Sequence, residues 1–290
     1  MPIQLWVSIL QLAVFSGLLG LGYLLVLRGS GVFMFALGPL AMVSAMLTSW
    51  LVVNHGVGKW PALLAGIVVS ALLSALIEAV IVRPLHLRTG GAELPTVVAV
   101  VAVLFAIQQL AGTVFGRTPL PGQQLVSFDS LHIGGLTIDD SVAVLVVVGL
   151  VLAVVIGAWL NRARYGRMLR AVGDNERSAE IIGVPVRRIR LIAFAMAGAL
   201  AGVMGPLLAA KTGVSFESGL QWTLTGFLAL IVGGLGPFWA PLVGGLIIAA
   251  MQTLSVYWFG PSWLDYITFV TAFVFFMFRP RGLFQAKVRV

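Results

Sequence analysis

The chain has 290 residues, of which 60% are hydrophobic and only 10% charged, with a formal net charge of +8 and no cysteine. Soluble domains carry about 25% charged residues, so this composition describes a polytopic membrane protein and excludes an ordinary water-soluble domain. The lack of cysteine removes disulfides, thiolate metal sites and cysteine nucleophiles, while the positive charge flanks apolar runs, where it sets topology before any affinity for nucleic acid.

In chain order, no basic residue precedes the first apolar run and no small-residue cleavage site follows it. That run therefore reads as a retained anchor, not a signal peptide. Runs approaching the roughly 20 residues needed to cross the hydrocarbon core fall at 5–27, 32–53, 60–82, 94–115, 141–160 and 191–210. A polar break at 211–221 follows, then runs at 222–235, 238–257 and 263–278. The run 222–235 is short for a crossing and fits a tilted, broken or re-entrant helix. The expected fold is an all-α polytopic membrane protein with about eight or nine transmembrane helices and one short cytoplasmic helix.

Individual residues stand out against this background. Glu78 is the one acid well inside a span, and an intramembrane charge is functional by default. It lies five residues before Arg83, about 7 Å of helix rise, so a structural pairing with a nearby arginine outweighs ion coupling. Gln108 and Gln109 place an uncharged polar pair in the fourth span; one is expected to bond a neighbouring helix and the other to face a route through the protein. Thr223 and Thr225 fit either role. His55, His86 and His132 all fall in loops and form no metal set. The loop 116–140 is rich in Gly, Pro, Asp and Gln and suits a short hairpin or an extended cover, more simply a solvated connector than a docking surface.

The longest polar interval is 161–190, with eight arginines (Arg162, Arg164, Arg167, Arg170, Arg177, Arg187, Arg188, Arg190) against Asp174, Glu176 and Glu180. A helix is readable there over roughly 175–182, about two to three turns. Asp174 or Asn175 can cap its N-terminus, Glu176 suits the positive end of its dipole, and Gly183 followed by Pro185 stops it. A helix this short is marginal in water and must dock, either on the chain's own membrane ends or on another subunit. Further on, Gly198, Gly202 and Gly205 make small-residue seams of the kind that let helices approach closely in lipid. The break at 233–245, GGLGPFWAPLVGG, leaves backbone irregular where a membrane tolerates it only beside protein or a water-filled cavity. It is a candidate pathway lining or hinge, and Gly233, Gly234 and Gly236 carry that expectation.

Counting nine crossings with the N-terminus outside places fifteen of the eighteen lysines and arginines on the cytoplasmic side, leaving Lys59, Arg117 and Lys211 outside. The positive-inside rule favours this orientation. No GxxxxGK[ST] phosphate loop is present, so nucleotide energy would have to come from another subunit.

The stretch GRMLRAVGDNERSAEIIGVPVRRIRLIAFAMAGALAGVMGPLLA, followed by FLALIVGGLGPFWAPLVGGLIIAAMQ and FRPRGLF, with EAVIVRPLHLR upstream, resembles the branched-chain amino-acid ABC permease family in the right order over nearly the whole chain. The resemblance implies a single transmembrane permease domain over 1–290 in a bacterial inner membrane, and the charge count above puts its N-terminus outside and its C-terminus in the cytoplasm. It implies a homologous second permease or a homodimer, two cytoplasmic ATPase subunits, and an external solute-binding protein. ATP and magnesium would sit on the partner ATPases, with no cofactor on this chain, no enzymatic activity of its own and no nucleic-acid partner. Carried over onto matching positions, it implies that Gly166, Arg170, Ala171, Ala179 and Gly183 engage the ATPase, joined by the cap candidates Asp174 and Asn175, so that 161–190 becomes the coupling segment.

One departure concerns cargo. The family typically has an asparagine and a His-Gly-Glu group after its first span, where this chain reads GVFMFALGPL with Met34, Leu37 and Pro39. Met34 and Phe35 are accordingly pathway candidates on an apolar surface. The leading expectation is import of branched-chain or other hydrophobic amino acids, with urea, amides or aromatic acids as alternative cargo. An ion-coupled secondary transporter is the competing class; it needs ionisable groups near the midplane, and Glu78 alone, off-centre, is available.

Overall fold

A computed structural model describes residues 3–89, 93–126, 131–133, 136–278 and 282–284. Its helices are α1 (Ile3–Ser30), α2 (Leu37–His55), α3 (Lys59–Ile77), a π turn (Glu78–Val82) leading into α4 (Arg83–Arg88), α5 (Glu93–Val114), α6 (Asp140–Arg162), α7 (Arg164–Asp174), α8 (Glu176–Ile181), α9 (Val186–Thr212), α10 (Ser218–Gly233), α11 (Ala240–Phe259) and α12 (Leu264–Phe278). With α3 through α4 taken as one rod, seven described helices are long and apolar enough to cross a membrane. The helices α10 and α12 are shorter, of 16 and 15 residues. The all-α polytopic expectation holds. The sheet among the described residues is a hairpin in the loop 116–140, β1 (Leu131–Ile133) against β2 (Leu136–Ile138), antiparallel with His132 opposite Thr137.

Two boundaries differ from the sequence reading. The second pass starts at Leu37, not near 32, because residues 31–36 are an irregular stretch packed inside the bundle, with Met34 fully buried and the Phe35 carbonyl accepting from Thr223 Oγ1 at 3.0 Å. The short polar helix covers Glu176–Ile181, under two turns, and α7 precedes it as an unanticipated second helix. At a rise of 1.5 Å per residue α10 is about 24 Å long. It nevertheless runs from one end of the bundle to the other: its N-terminal side adjoins Val214, which pairs with Leu120, and its C-terminal side meets Phe284.

The alternation of passes sorts the charges. One end, called here the basic end, holds Arg28, Arg83, Arg88 and all of 161–190, and the Arg28 guanidinium donates to the Gly236 carbonyl there. The far end holds His55, Lys59, Arg117 and the hairpin, with Lys211 Nζ 3.0 Å from Asp139 Oδ2.

Helix α1 is the axis of the bundle, with Phe15, Leu18, Leu21 and Tyr23 fully buried. Around it α9 packs on α2 and α3 through a small-residue seam. A Cβ on Gly202 would lie 2.9 Å from Ile67 Cα, and those on Gly198 and Gly205 would overlap Ser74 and the Ala41 carbonyl. Hydroxyls bridge the same seam: Ser44 Oγ donates to the Gly202 carbonyl at 2.7 Å, Ser70 Oγ to Leu40 at 2.9 Å and Ser74 Oγ to Phe194 at 2.5 Å. Interhelical bonds in lipid contribute on the order of 0.6–2 kcal/mol each. On the outer faces of α3, α5 and α6, apolar side chains such as Leu72, Val98 and Val154 stay exposed. A bilayer is the solvent that such lateral surfaces require.

Candidate functional site

Helix α6 ends at Arg162, and an extended Ala163 (φ −72°, ψ 149°) turns the chain into α7. Gly166, Leu169 and Val172, three residues apart, bury one face of α7, as a 3.6-residue period requires. Gly166 is where α7 passes close over the end of α6, since a Cβ there would lie 2.7 Å from Leu160 Cα. The arginines Arg164 and Arg167 lie on its open side, while Arg170 is half-buried and reaches back to Asn161 at 3.5 Å. Ala171 is also half-buried.

The cap between the two helices is Asn175, not Asp174. Asn175 is extended (φ −161°, ψ 107°) and its Oδ1 accepts from the Ser178 N–H at 2.9 Å, the usual N-cap bond. Asp174 instead lines a cavity of about 250 Å³ with Arg28 and His86. Helix α8 turns Ala179 inward, 2% exposed, and Ile181 and Ile182 outward, 82% and 73% exposed. Gly183 ends it at φ +82°, donating to the Glu180 carbonyl at 3.0 Å, while the Val184 N–H bonds the Ala179 carbonyl at 3.0 Å. The result is a two-helix projection at the basic end with an isoleucine pair at its tip, flanked by the exposed side chains of Arg177, Arg187 and Arg188. Of the residues expected to engage a partner directly, Gly166 and Ala179 face inward and shape the projection.

Behind α8 the intramembrane acid finds its partner. Glu78, 1% exposed, opens the π turn, and its Oε1 lies 3.3 Å from Arg190 Nε; Arg190 Nη1 also donates to Glu176 Oε1 at 3.2 Å. Glu78 thus pairs with an arginine as expected, but with Arg190 on α9, because tertiary packing and not helix rise brings the charges together. Nothing in the local spacing signals this pair.

The pathway candidates do not converge. Met34 is fully buried and accepts from Ser74 Oγ at 3.8 Å, and Phe35 packs at a tilt against Phe227 with ring centroids 5.0 Å apart. Gln108 is buried on α5 with an unpartnered Oε1, whereas Gln109 faces outward. Gly233, Gly234 and Gly236 are buried beneath residues 282–284. The Leu283 and Phe284 N–H groups donate to Val232 and Gly233 at 3.0 Å, and Gly236 donates to Phe284 at 3.0 Å. The irregular backbone of the glycine break is satisfied by protein, as an irregular segment at membrane depth needs.

A cleft absent from the sequence reading opens at the far end between α1, the end of α9, α10 and α11, with a volume of about 450 Å³. Ser218, Gln221, Trp222 and Thr225 of α10 line it with Phe15 and Gln252, and among the described residues no charged side chain contributes. Trp222 meets Phe15 edge-on at 5.4 Å, and Gln252 Nε2 donates to Thr268 Oγ1 at 3.1 Å. Its size falls within the roughly 300–1,000 Å³ typical of small-molecule sites. The spacing 218, 221, 222, 225 on one helix face was the signal that could have revealed this wall.

A family model described as the permease component of branched-chain amino acid transport systems matches residues 5–278. The chain is 25% identical over 284 residues to the high-affinity branched-chain amino acid transport system permease protein BraD of Pseudomonas aeruginosa, covering 92% of this chain and 90% of that protein. It is 29% identical over 265 residues to the probable branched-chain amino acid transport permease protein LivH of Methanocaldococcus jannaschii, covering 86% and 81%. A shorter match, 35% over 130 residues, covers 41% of this chain and 33% of the xylose transport system permease protein XylH of Haemophilus influenzae. No solved structure matches.

Proposed function

We propose a function from one premise: the chain belongs to the branched-chain amino acid transport system permease family. It is a transport permease subunit, and on our reading it works in an ABC importer with partner ATPases on its basic end. The observation that carries this is the α7–α8 projection, where exposed Ile181 and Ile182 sit among arginines on a chain that has no phosphate loop of its own. An apolar pair at the centre of a charged rim suits a protein groove. ATP-driven closure of the ATPases would displace α8, and α7, packed on the end of α1, would pass that movement to the axis of the bundle. The basic end would then be cytoplasmic, and a solute-binding protein would deliver cargo at the far end.

The far-end cleft supports a solute of matching chemistry. Uncharged hydroxyl and amide groups beside Trp222 and Phe15 suit a small molecule without net charge that carries an apolar part, as a branched-chain amino acid does. The buried pairing of Glu78 with Arg190 speaks against an ion-coupled carrier, whose carboxylate must be free to load.

The test is reconstitution of the chain with its ATPases and binding protein. ATP-dependent leucine uptake is expected, inhibited by valine and isoleucine but not by lysine or glutamate. Changing Ile181 and Ile182 together to aspartate is expected to release the ATPases during purification. Uptake without ATP hydrolysis, or full ATPase retention by the double variant, would overturn the reading.

A further inference from the structure

Arg190 lies in the first turns of α9 and is 5% exposed. Its guanidinium touches carboxylates from two other elements: Glu176, the first residue of α8, and Glu78, the residue at which α3 becomes a π turn. The bond to Glu176 is a proper hydrogen bond at 3.2 Å. The approach to Glu78, at 3.3 Å, is an ion pair without hydrogen-bond alignment, and Arg190 Nε and Nη2 and Glu78 Oε1 are left without acceptor or donor. A buried guanidinium held this incompletely is costly, and a static structural pair would be expected to satisfy its fork.

Beside the cluster is a cavity of about 170 Å³, lined also by Arg83, Glu180 and Arg187. Carboxylates and guanidinium groups other than the observed partners therefore border the same space. Glu180 stands one turn along α8 from Glu176, and Arg83 and Arg187 border the same space as Glu78. The π turn at Glu78–Val82 interrupts the regular helix at this point, and such insertions are frequent at functional sites.

We infer that Arg190 is a positioning residue that carries displacement of α8 into α3: it pins the coupling helix to the π turn in this arrangement and exchanges carboxylate partners when α8 moves. Movement of α8 carries Glu176 away from Arg190 and brings Glu180 toward it. The guanidinium then withdraws from Glu78, and the end of α3, packed on α9 along its length, is free to shift. The inference rests on the reading of α8 as the ATPase-docking helix.

The experiment uses the full complex in lipid nanodiscs and proteoliposomes, with ATPase co-purification, ATP hydrolysis, leucine uptake and thermal midpoint all measured. Glu176→Gln removes one leg of the pin at a half-exposed position and leaves the buried pair in place. It is expected to keep assembly and thermal midpoint while uptake per ATP hydrolysed falls by about tenfold or more. Glu78→Gln is expected to act in the same direction, and Arg190→Lys, which keeps charge but not the two-armed fork, to restore only part of the loss seen in Arg190→Gln. Unchanged uptake per ATP in Glu176→Gln and Arg190→Lys overturns the inference. So does a loss of uptake that merely tracks a falling thermal midpoint, which would assign Arg190 a structural role. If the Ile181 and Ile182 double variant retains its ATPases, the docking reading itself has failed, a result distinguishable from failure of the pin.

Discussion

At the residue scale, Gly183 and Ala179 show two different ways in which one position can control the projection. A Cβ on Gly183 would meet nothing within 4 Å, but its φ of +82° lies in the left-handed region, which costs other residues about 1–2 kcal/mol. Gly183→Leu should therefore insert and accumulate normally in membranes while re-forming the α8–α9 connection, so that ATP-driven uptake falls more than ATP hydrolysis does. Ala179 is the opposite case: its backbone is ordinary helix, but its side chain is closed off. Ala179→Asp would bury a carboxylate with no cation built for it, a cost that lifts α8 from its seat. The expected result is the same uncoupling with membrane levels unchanged, checked by uptake assays beside quantified membrane fractions. Normal ATP-driven uptake in both variants would refute the coupling role of the segment. A cap at Asp174 or Asn175 and the Gly183 stop were legible in the sequence because each involves residues a few positions apart, while the structure chose Asn175. The partner of Glu78 was not, because Arg190 reaches it only through the packing of α9 on α3 and the π turn.

At the element scale, the most informative miss is α7. Its eleven residues look like part of one polar interval because arginines dominate their composition, and the apolar face reduces to Gly166, Leu169 and Val172. A glycine that works by close approach carries no hydrophobic signal. The seam between α9, α2 and α3 was legible as a motif, since small residues recur at helical spacing, but its partner helices were not. Gly205→Leu tests the seam: the added side chain meets the Ala41 backbone, not a movable side chain. Overpacking typically costs about 1–3 kcal/mol, so the variant should show a clearly lower thermal midpoint in detergent, whereas Ser44→Ala, which removes one interhelical hydrogen bond, should lower it less. An unaffected Gly205→Leu midpoint would remove the seam from the account of stability. The glycine break after α10 has a related explanation. The sequence marks it as irregular, and the structure closes it with the backbone of residues 282–284, which explains why a turn-forming Gly-Leu-Phe accompanies the break so far along the chain.

At the scale of the whole molecule, the long helices separate an arginine-rich end from an end that holds the hairpin, Lys211 and the uncharged cleft. That separation yields a direct prediction of sidedness, and the lack of native cysteine makes it simple to check. In intact cells that express the chain without its ATPases, a membrane-impermeant maleimide should label Asn54→Cys at the far end and spare Ser178→Cys on α8, whereas a permeant reagent should label both. The reverse pattern would invert the orientation and with it the placement of the ATPases. The sequence by itself determined the membrane class, the approximate passes, the polar projection and the asymmetry of charge, because each depends on composition or on neighbours within a few turns of helix. Only the tertiary structure decided which arginine neutralises Glu78, which face of α8 is left open, what covers the glycine break and where a solute-sized cleft forms. Those features join side chains from distant passes, and helix packing brings such groups together in ways that local spacing does not encode.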